Sequence, residues 1–331
     1  MSNYKYPTPQ LLLKAICNAI RSKTGNSDEI PHQNIPDELD SILTEEEYYE
    51  EQIENISSIY TGTNLNFSIN NNDIITIPRY KFDYSNLTTI NLPKCISIGE
   101  EAIANCPNLT VVNLPICTSI GYRAIANCPN LTIIDLPKCT SIGGNAFANC
   151  ISLTTVNFPE CTSIENSFWG CTSLTTINLP KCTSINGFNS CTSLTTIDLP
   201  ECTSIGNSAF NSCTSLTVVN LPKCTSIGNT AFYGCTNLTT VNLPECTSIG
   251  NRAFEDCINI ITLILANNQV VVLENVGIFT GSSIKNGTGY IYVPDDLVDS
   301  YKIATNWSTY ANQIKPISEL PNNIKEEYGY D

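Results

Sequence analysis

The chain should fold as an α/β solenoid of stacked coils, and three features of its 331 residues say so. Cysteine recurs about every eleven residues from Cys95 to Cys257. Read in pairs, these cysteines mark a unit of 22 residues, as in LTTVNLPECTSIGNRAFEDCIN at 238–259, which slips to 21 and then 20 residues in two middle units. Within each unit the apolar residues hold fixed positions. A fixed period in the twenties means that one unit cannot bury its apolar face alone and must stack on its neighbours.

Each element of the unit has its own reason. From Leu87 the unit runs Leu87-x-x-Ile90-x-Leu92-x-x-Cys95. Ile90 and Leu92 alternate with Thr89 and Asn91, the period of two expected of a short strand with one buried face. Proline follows the position of Leu92 in every unit (Phe158 stands there once), removes a ladder donor and ends the strand. The second half reads T-S-I-G-x-x-A-F-x-x-C, as from Thr203 to Cys213. Ala209 and Phe210 stand four and three residues before Cys213, so one short helical turn would point all three inward. A 22-residue coil has no room for a long helix, and its outer side should consist of turns and single helical turns.

The blocks just described resemble the BspA-like class of leucine-rich repeats, over residues 87–259 and in eight successive units. The resemblance implies a curved, right-handed solenoid with a parallel sheet along its concave side. These units are a residue shorter than the commoner family form and place a cysteine after L-P-x.

The cysteines admit three readings: a metal site, a disulfide framework, or core packing. Metal sites favour close pairs such as C-x-x-C with histidine; here the nearest spacing is nine residues and the single histidine, His32, lies outside the repeats. Equivalent cysteines in adjacent coils would sit about 5 Å apart, with parallel side-chain vectors that suit a bridge poorly. Cysteine as a small, buried hydrophobe, forming two reduced ladders in a narrow core, fits the pattern best.

Around the array lie a helical segment at 1–60, a capping coil at 61–86 and a closing module at 260–331. Thr8-Pro9 starts a helix carrying Leu12, Ala15, Ile16, Ala19 and Ile20 on one stripe. A second helix is expected near Pro36–Leu43, and a capping box at Thr44–Glu47 opens a third toward Ile59. Residues 11–42 also resemble a short helical element at the start of some structural and tail-associated proteins of phages and prophages, and residues 1–60 are the place where the chain would oligomerise. After Cys257 a further strand-like coil follows. Tyr290–Val293 suits a strand, Pro294-Asp295 a helix start, and Trp307, Tyr310 and Ile314 a helical stripe whose aromatics would cover the open end of the core. This stretch resembles the C-terminal module that closes BspA-like arrays.

Composition narrows the function. The net charge of −15 argues against binding nucleic acid through phosphates. No run of eighteen apolar residues is present, so no spanning helix is expected. The start MSNYKYPTPQLLLKAICNAI lacks a secretory signal, which points to synthesis in the cytoplasm and leaves the final location open between virion and cell surface. No nucleophile has a positioned base, and no phosphate-loop, dinucleotide or zinc-protease motif occurs. Asp135 and Asp198 occupy a strand position filled by Asn or Asp in all eight units, so they read as structural. No cofactor is expected, and enzymatic activity is not.

The resulting expectation is a non-catalytic leucine-rich-repeat scaffold for protein or glycan binding and adhesion, with a structural component of a phage or prophage particle as the alternative. Its partner would be an unidentified macromolecular surface. Variation concentrates just before the second cysteine of each unit, where Trp169 and Tyr233 stand, and after the T-S-I block, where Tyr122 and Arg123 stand. These four are the candidate partner-binding residues.

Overall fold

A computed structural model describes residues 67–70 and 74–330; the helices expected within 1–60, and any role of that segment in oligomerisation or phage assembly, lie outside the described residues. The chain forms about eleven turns of a solenoid, the eight repeat coils together with the divergent coils expected at both ends, which carry the same ladders. Phe67–Asn70 pairs in parallel with Leu87–Asn91, and after the last regular unit Thr262–Ile264 pairs with Tyr290–Val293, which pairs with Ile314–Pro316.

Two rows of short parallel strands run along the solenoid. The first contains the Thr/Asn strands, for example Thr196–Asp198 beside Val218–Asn220 and Thr240–Asn242. The second contains the T-S-I strands, for example Ser204–Ile205 beside Ser226–Ile227 and Ser248–Ile249. Between them, L-P-x-C closes a turn in which the cysteine N–H donates to the leucine carbonyl, at 3.0 Å for Cys95 to Leu92. Proline at the second turn position presets the required φ.

The A-F-x-x-C segment points Ala209, Phe210 and Cys213 inward, all fully buried, but it is not a helical turn. Residues five and one before the second cysteine adopt positive φ, as at Arg123 (51°) and Asn127 (55°), or Ser208 (57°) and Ser212 (59°). With left-handed backbone at these two positions, every second amide points at the next coil: Glu101 donates to Tyr122, Ile103 to Ala124 and Asn105 to Ala126, at 2.9, 2.8 and 2.8 Å. The outer side is therefore a third hydrogen-bonded ladder. A left-handed non-glycine residue costs about 1 kcal/mol, and the inter-coil bond offsets that cost. The glycine of T-S-I-G is needed where coils touch: a Cβ on Gly121 would lie 2.6 Å from the carbonyl carbon of Gly99.

Stacking of identical positions builds the core. Phe147, Phe168, Phe188, Phe210, Phe232, Phe254 and Phe279 form a column of near-parallel rings with centroids 5.1–5.8 Å apart. Tyr310 ends the column edge-on at 5.1 Å. The end is sealed by side chains that satisfy the last T-S-I-type strand: Trp307 Nε1 donates to the Val271 carbonyl at 2.6 Å, and Asn306 Nδ2 to that of Leu273 at 2.8 Å. The expected helical stripe at Trp307–Ile314 is a 3-10 helix at Ser308–Gln313, and Ile314 starts the final strand.

All sixteen repeat cysteines are free and buried. In the ladder after L-P-x each S–H points to the carbonyl two residues on, as Cys95 to Ser97 at 3.3 Å. In the other ladder it crosses to the preceding coil, as Cys213 to Phe188 and Cys235 to Phe210 at 3.1 and 3.2 Å. Alanine would fit these sites in size but would leave that bond unmade, which gives cysteine a physical reason to recur.

Two outcomes follow. Phe210→Ala should cost about 3–5 kcal/mol in urea melts; a loss below about 1 kcal/mol would show that the column does not carry the core. Burial pushes thiols up, Cys117 and Cys202 to about 11 and Cys139, Cys171 and Cys213 to about 12, from an ordinary 9.0. The unfolded chain therefore ionises first as pH rises, and stability is complete below pH 9 and falls between about 9 and 12. Denaturant midpoints measured across this window should drop steeply, with few thiols reacting in native protein at neutral pH; flat midpoints would contradict the burial of these thiols.

Candidate recognition surface

The four candidate residues all lie on the outer turn ladder, but not in one patch. Trp169 and Tyr233 occupy the same register position, two residues before Cys171 and Cys235, and are separated by three coils, or about 14 Å at the usual strand spacing. Tyr122 and Arg123 lie at the other end of the turn, two coils before Trp169. The ladder is thus a row of separate positions and not a convergent pocket.

Their surroundings differ. Trp169 is 47% exposed, and its carbonyl accepts the Asn149 N–H at 2.7 Å, so a fixed backbone carries an open indole face. The neighbouring Gly170 has φ of +73°, and a Cβ there would meet Asn149 Oδ1 at 2.5 Å. Tyr233 is half-buried and braced. Arg252 lies 5.7 Å over its ring, Glu255 grips that arginine through two bonds, and a hydrogen bond to Asp256 holds the phenol above its ordinary value. Tyr122 is 46% exposed and rests beside Gly144. Arg123 pairs with Glu101 at 3.7 Å across adjacent coils. Of these four, Trp169 and Tyr122 offer a large exposed aromatic face; Tyr233 and Arg123 have intramolecular partners.

The Thr/Asn sheet is more than a self-supporting wall. Asparagines bond from coil to coil, Asn113 Nδ2 to Asn91 Oδ1 at 2.6 Å, Asn178 to Asn157 at 2.5 Å and Asn242 to Asn220 at 2.9 Å. Threonine hydroxyls cap carbonyls of the preceding coil, as Thr217 to Thr195 at 3.2 Å. At one end the sheet is covered. The C-terminal segment folds over Thr240, Asn242, Thr262 and Ile264, which are buried, whereas Asn178 and Asn220 are exposed. Leu320, Ile324 and Tyr328 pack with Ile264 and Tyr292, and the Tyr330 hydroxyl donates to Asn242 Oδ1 at 2.8 Å.

Two of these features escaped the reading of the sequence. The left-handed positions were signalled by Asn, Ser, Gly or Asp before every second cysteine, the residue types that tolerate positive φ. The covering segment was signalled by Ile317, Leu320, Ile324 and Tyr328 at near-helical spacing. Charged side chains pair between coils: Lys181 meets Glu160 and Lys223 meets Glu201, each at 2.7 Å. Both pairs are roughly half exposed, so each contributes only a few tenths of a kcal/mol.

Comparison with known proteins agrees with this geometry. Residues 75–187 and 185–289 match the BspA-type leucine-rich repeat region in six copies. The chain belongs to the BspA-type leucine-rich-repeat family. Among solved structures it is similar to a leucine-rich repeat protein from Bacteroides ovatus, with 21% identity over 75% of this chain and 82% of that one and a TM-score of 0.50. It is also similar to a leucine-rich cell surface protein from Faecalibacterium prausnitzii, with 22% identity over 75% and 85% and a TM-score of 0.41. At these identities the likeness concerns the fold. No curated protein matches the chain.

A BspA-type ladder makes one local forecast. Gly170→Ala should destabilise the protein by about 1 kcal/mol or more, whereas Trp169→Ala, which truncates an open side chain, should change stability by about 0.5 kcal/mol or less. Chemical melts of the two variants give the comparison; the reverse order would show that the indole is packed and the turn relaxed.

Proposed function

We propose that this BspA-type repeat array is a non-catalytic recognition scaffold that holds a protein or glycan surface, in the manner of an adhesin. The observation that carries this reading is Trp169, an indole about half exposed on a backbone locked into a ladder. A rigid aromatic loses little entropy on binding and supplies a large contact face. The stacked coils add an extended surface on which separated contacts act together. Tyr122 offers a second open ring, and Arg123 a charge at the same end of the turn.

The test is a screen of the whole chain against arrayed glycans and bacterial surface proteins, followed by a Trp169→Ala, Tyr233→Ala double variant against whatever binds. Affinity should fall at least about tenfold, as for a central aromatic contact. Unchanged affinity in a folded double variant would remove these aromatics from the site; a chain that binds nothing in the screen would contradict the scaffold reading itself.

A further inference from the structure

The asparagine ladder is interrupted at two joints, and both interruptions leave acceptors without donors. Asn stands at six of the eight ladder positions, and Asp at 135 and 198. An asparagine amide can donate to the preceding coil and accept from the next; a carboxylate only accepts. Neither Asp135 nor Asp198 can therefore donate to the asparagine of the preceding coil, Asn113 or Asn178.

The strand row opens at these same joints. Strands Leu87–Asn91 and Val111–Asn113 belong to one sheet, Ile133–Asp135 through Thr176–Asn178 to a second, and Thr196–Asp198 onward to a third. Threonine capping stops there as well. Thr110, Thr154, Thr175 and Thr217 each reach the carbonyl of the preceding coil, whereas among the described residues Thr132 and Thr195 show no such bond. The T-S-I row breaks elsewhere, between Ser141–Ile142 and Ser163–Glu165, so no joint cuts every ladder and the array stays continuous.

Both joints lie on the exposed face of the sheet. Asn113, Asp135, Asn178 and Asp198 are all exposed. Asn157 donates to Asp135 Oδ1 at 2.7 Å, while Asp198 receives no side-chain donor among the described residues. No lysine or arginine of the described residues forms an ion pair with either carboxylate. Val111 and Ile133 lie beside the first joint, 47% and 54% exposed, and offer aliphatic surface for the stem of a long cationic side chain. Farther along the same row, Asn242 Oδ1 is filled by the hydroxyl of Tyr330, so a donor on a covering segment already fits this row in cis.

We propose that the Asp135 and Asp198 joints are paired sites for guanidinium or ammonium groups of an extended basic segment of a partner protein. A guanidinium supplies several donors in one plane and can bridge a carboxylate and the facing amide oxygen. The joints lie three coils apart, about 14 Å, which matches side chains four residues apart on one face of an extended strand. An acidic chain of net charge −15 favours the approach of such a segment. This inference rests on the scaffold reading and assigns it a surface, the Thr/Asn sheet, distinct from the aromatic positions of the outer row.

The experiment is titration calorimetry of the full chain at low and moderate salt with an extended peptide carrying two arginines four positions apart, and with the same peptide carrying two glutamates. The arginine peptide should bind with salt-dependent affinity, the glutamate peptide should not, and an Asp135→Asn, Asp198→Asn double variant should bind the arginine peptide at least about tenfold more weakly. Asparagine is the ladder's own residue, so the variant folds, and its strand row should close, seen as slower amide exchange at the two joints. Equal binding of both peptides, no binding of the arginine peptide, or unchanged affinity in the double variant would each overturn the proposal. A partner recovered in the glycan and protein screen that binds independently of both aspartates would overturn only this inference and leave the scaffold reading standing.

Discussion

Everything in this molecule depends on repetition at one period, because a coil is held only by its neighbours. Each coil buries a handful of side chains, too few to fold alone. Stacked in register, the same residues complete a phenylalanine column, two cysteine ladders and three sets of main-chain bonds. The period must stay near 22 so that Phe meets Phe and each turn amide meets the next turn carbonyl. Where the chain loses residues, in the units around Phe168 and Phe188, the column continues with centroids 5.1 Å apart; the shortening falls in the segment before it, where a Gly position is lost.

That constraint also explains why so narrow a residue set recurs. The turn ladder needs a left-handed residue just before the second cysteine, which selects Asn, Ser, Gly and Asp there. The buried site beside it needs a small apolar group with one donor, which selects cysteine. The strand needs a residue that can both donate and accept along the axis, which selects asparagine. Residues outside these requirements are free to vary, and that is where Trp169, Tyr122 and the two ladder aspartates stand. Function in a repeat protein is therefore sought at departures from the pattern, provided that the departure is exposed and leaves chemistry unmet.

Much of the fold was legible in the sequence for the same reason. Periodicity placed the strands at Leu87–Asn91 and Tyr290–Val293, and the A-F-x-x-C slot placed Ala209, Phe210 and Cys213 in the core. Local conformation was less legible. A three-residue spacing fits a helical turn as well as an alternating left- and right-handed turn, and only the inter-coil bond decides between them. The divergent coils at both ends were legible as well, because Phe67–Asn70 and Thr262–Ile264 keep the ladder geometry after losing the consensus residues. Of the candidate site, sequence variation located Trp169 and Tyr122 as open positions, but could not reveal that Arg252 and Asp256 hold Tyr233, or that residues near Tyr330 cover one end of the Thr/Asn sheet. The first contacts join adjacent coils through residues outside the repeating pattern, the second joins residues 88 apart in the chain, and neither leaves a periodic trace.

The claim most worth testing is that the outer turns form a continuous hydrogen-bonded ladder between coils. Native-state hydrogen exchange resolved to single amides is the direct measurement. The amides of Ile103, Ile125, Phe147, Phe188, Phe210 and Phe232, all donors to the next coil, should be protected as strongly as strand amides such as those of Val219 and Val241. Exchange of these turn amides at the rate of an open surface loop, beside protected strands, would contradict the account.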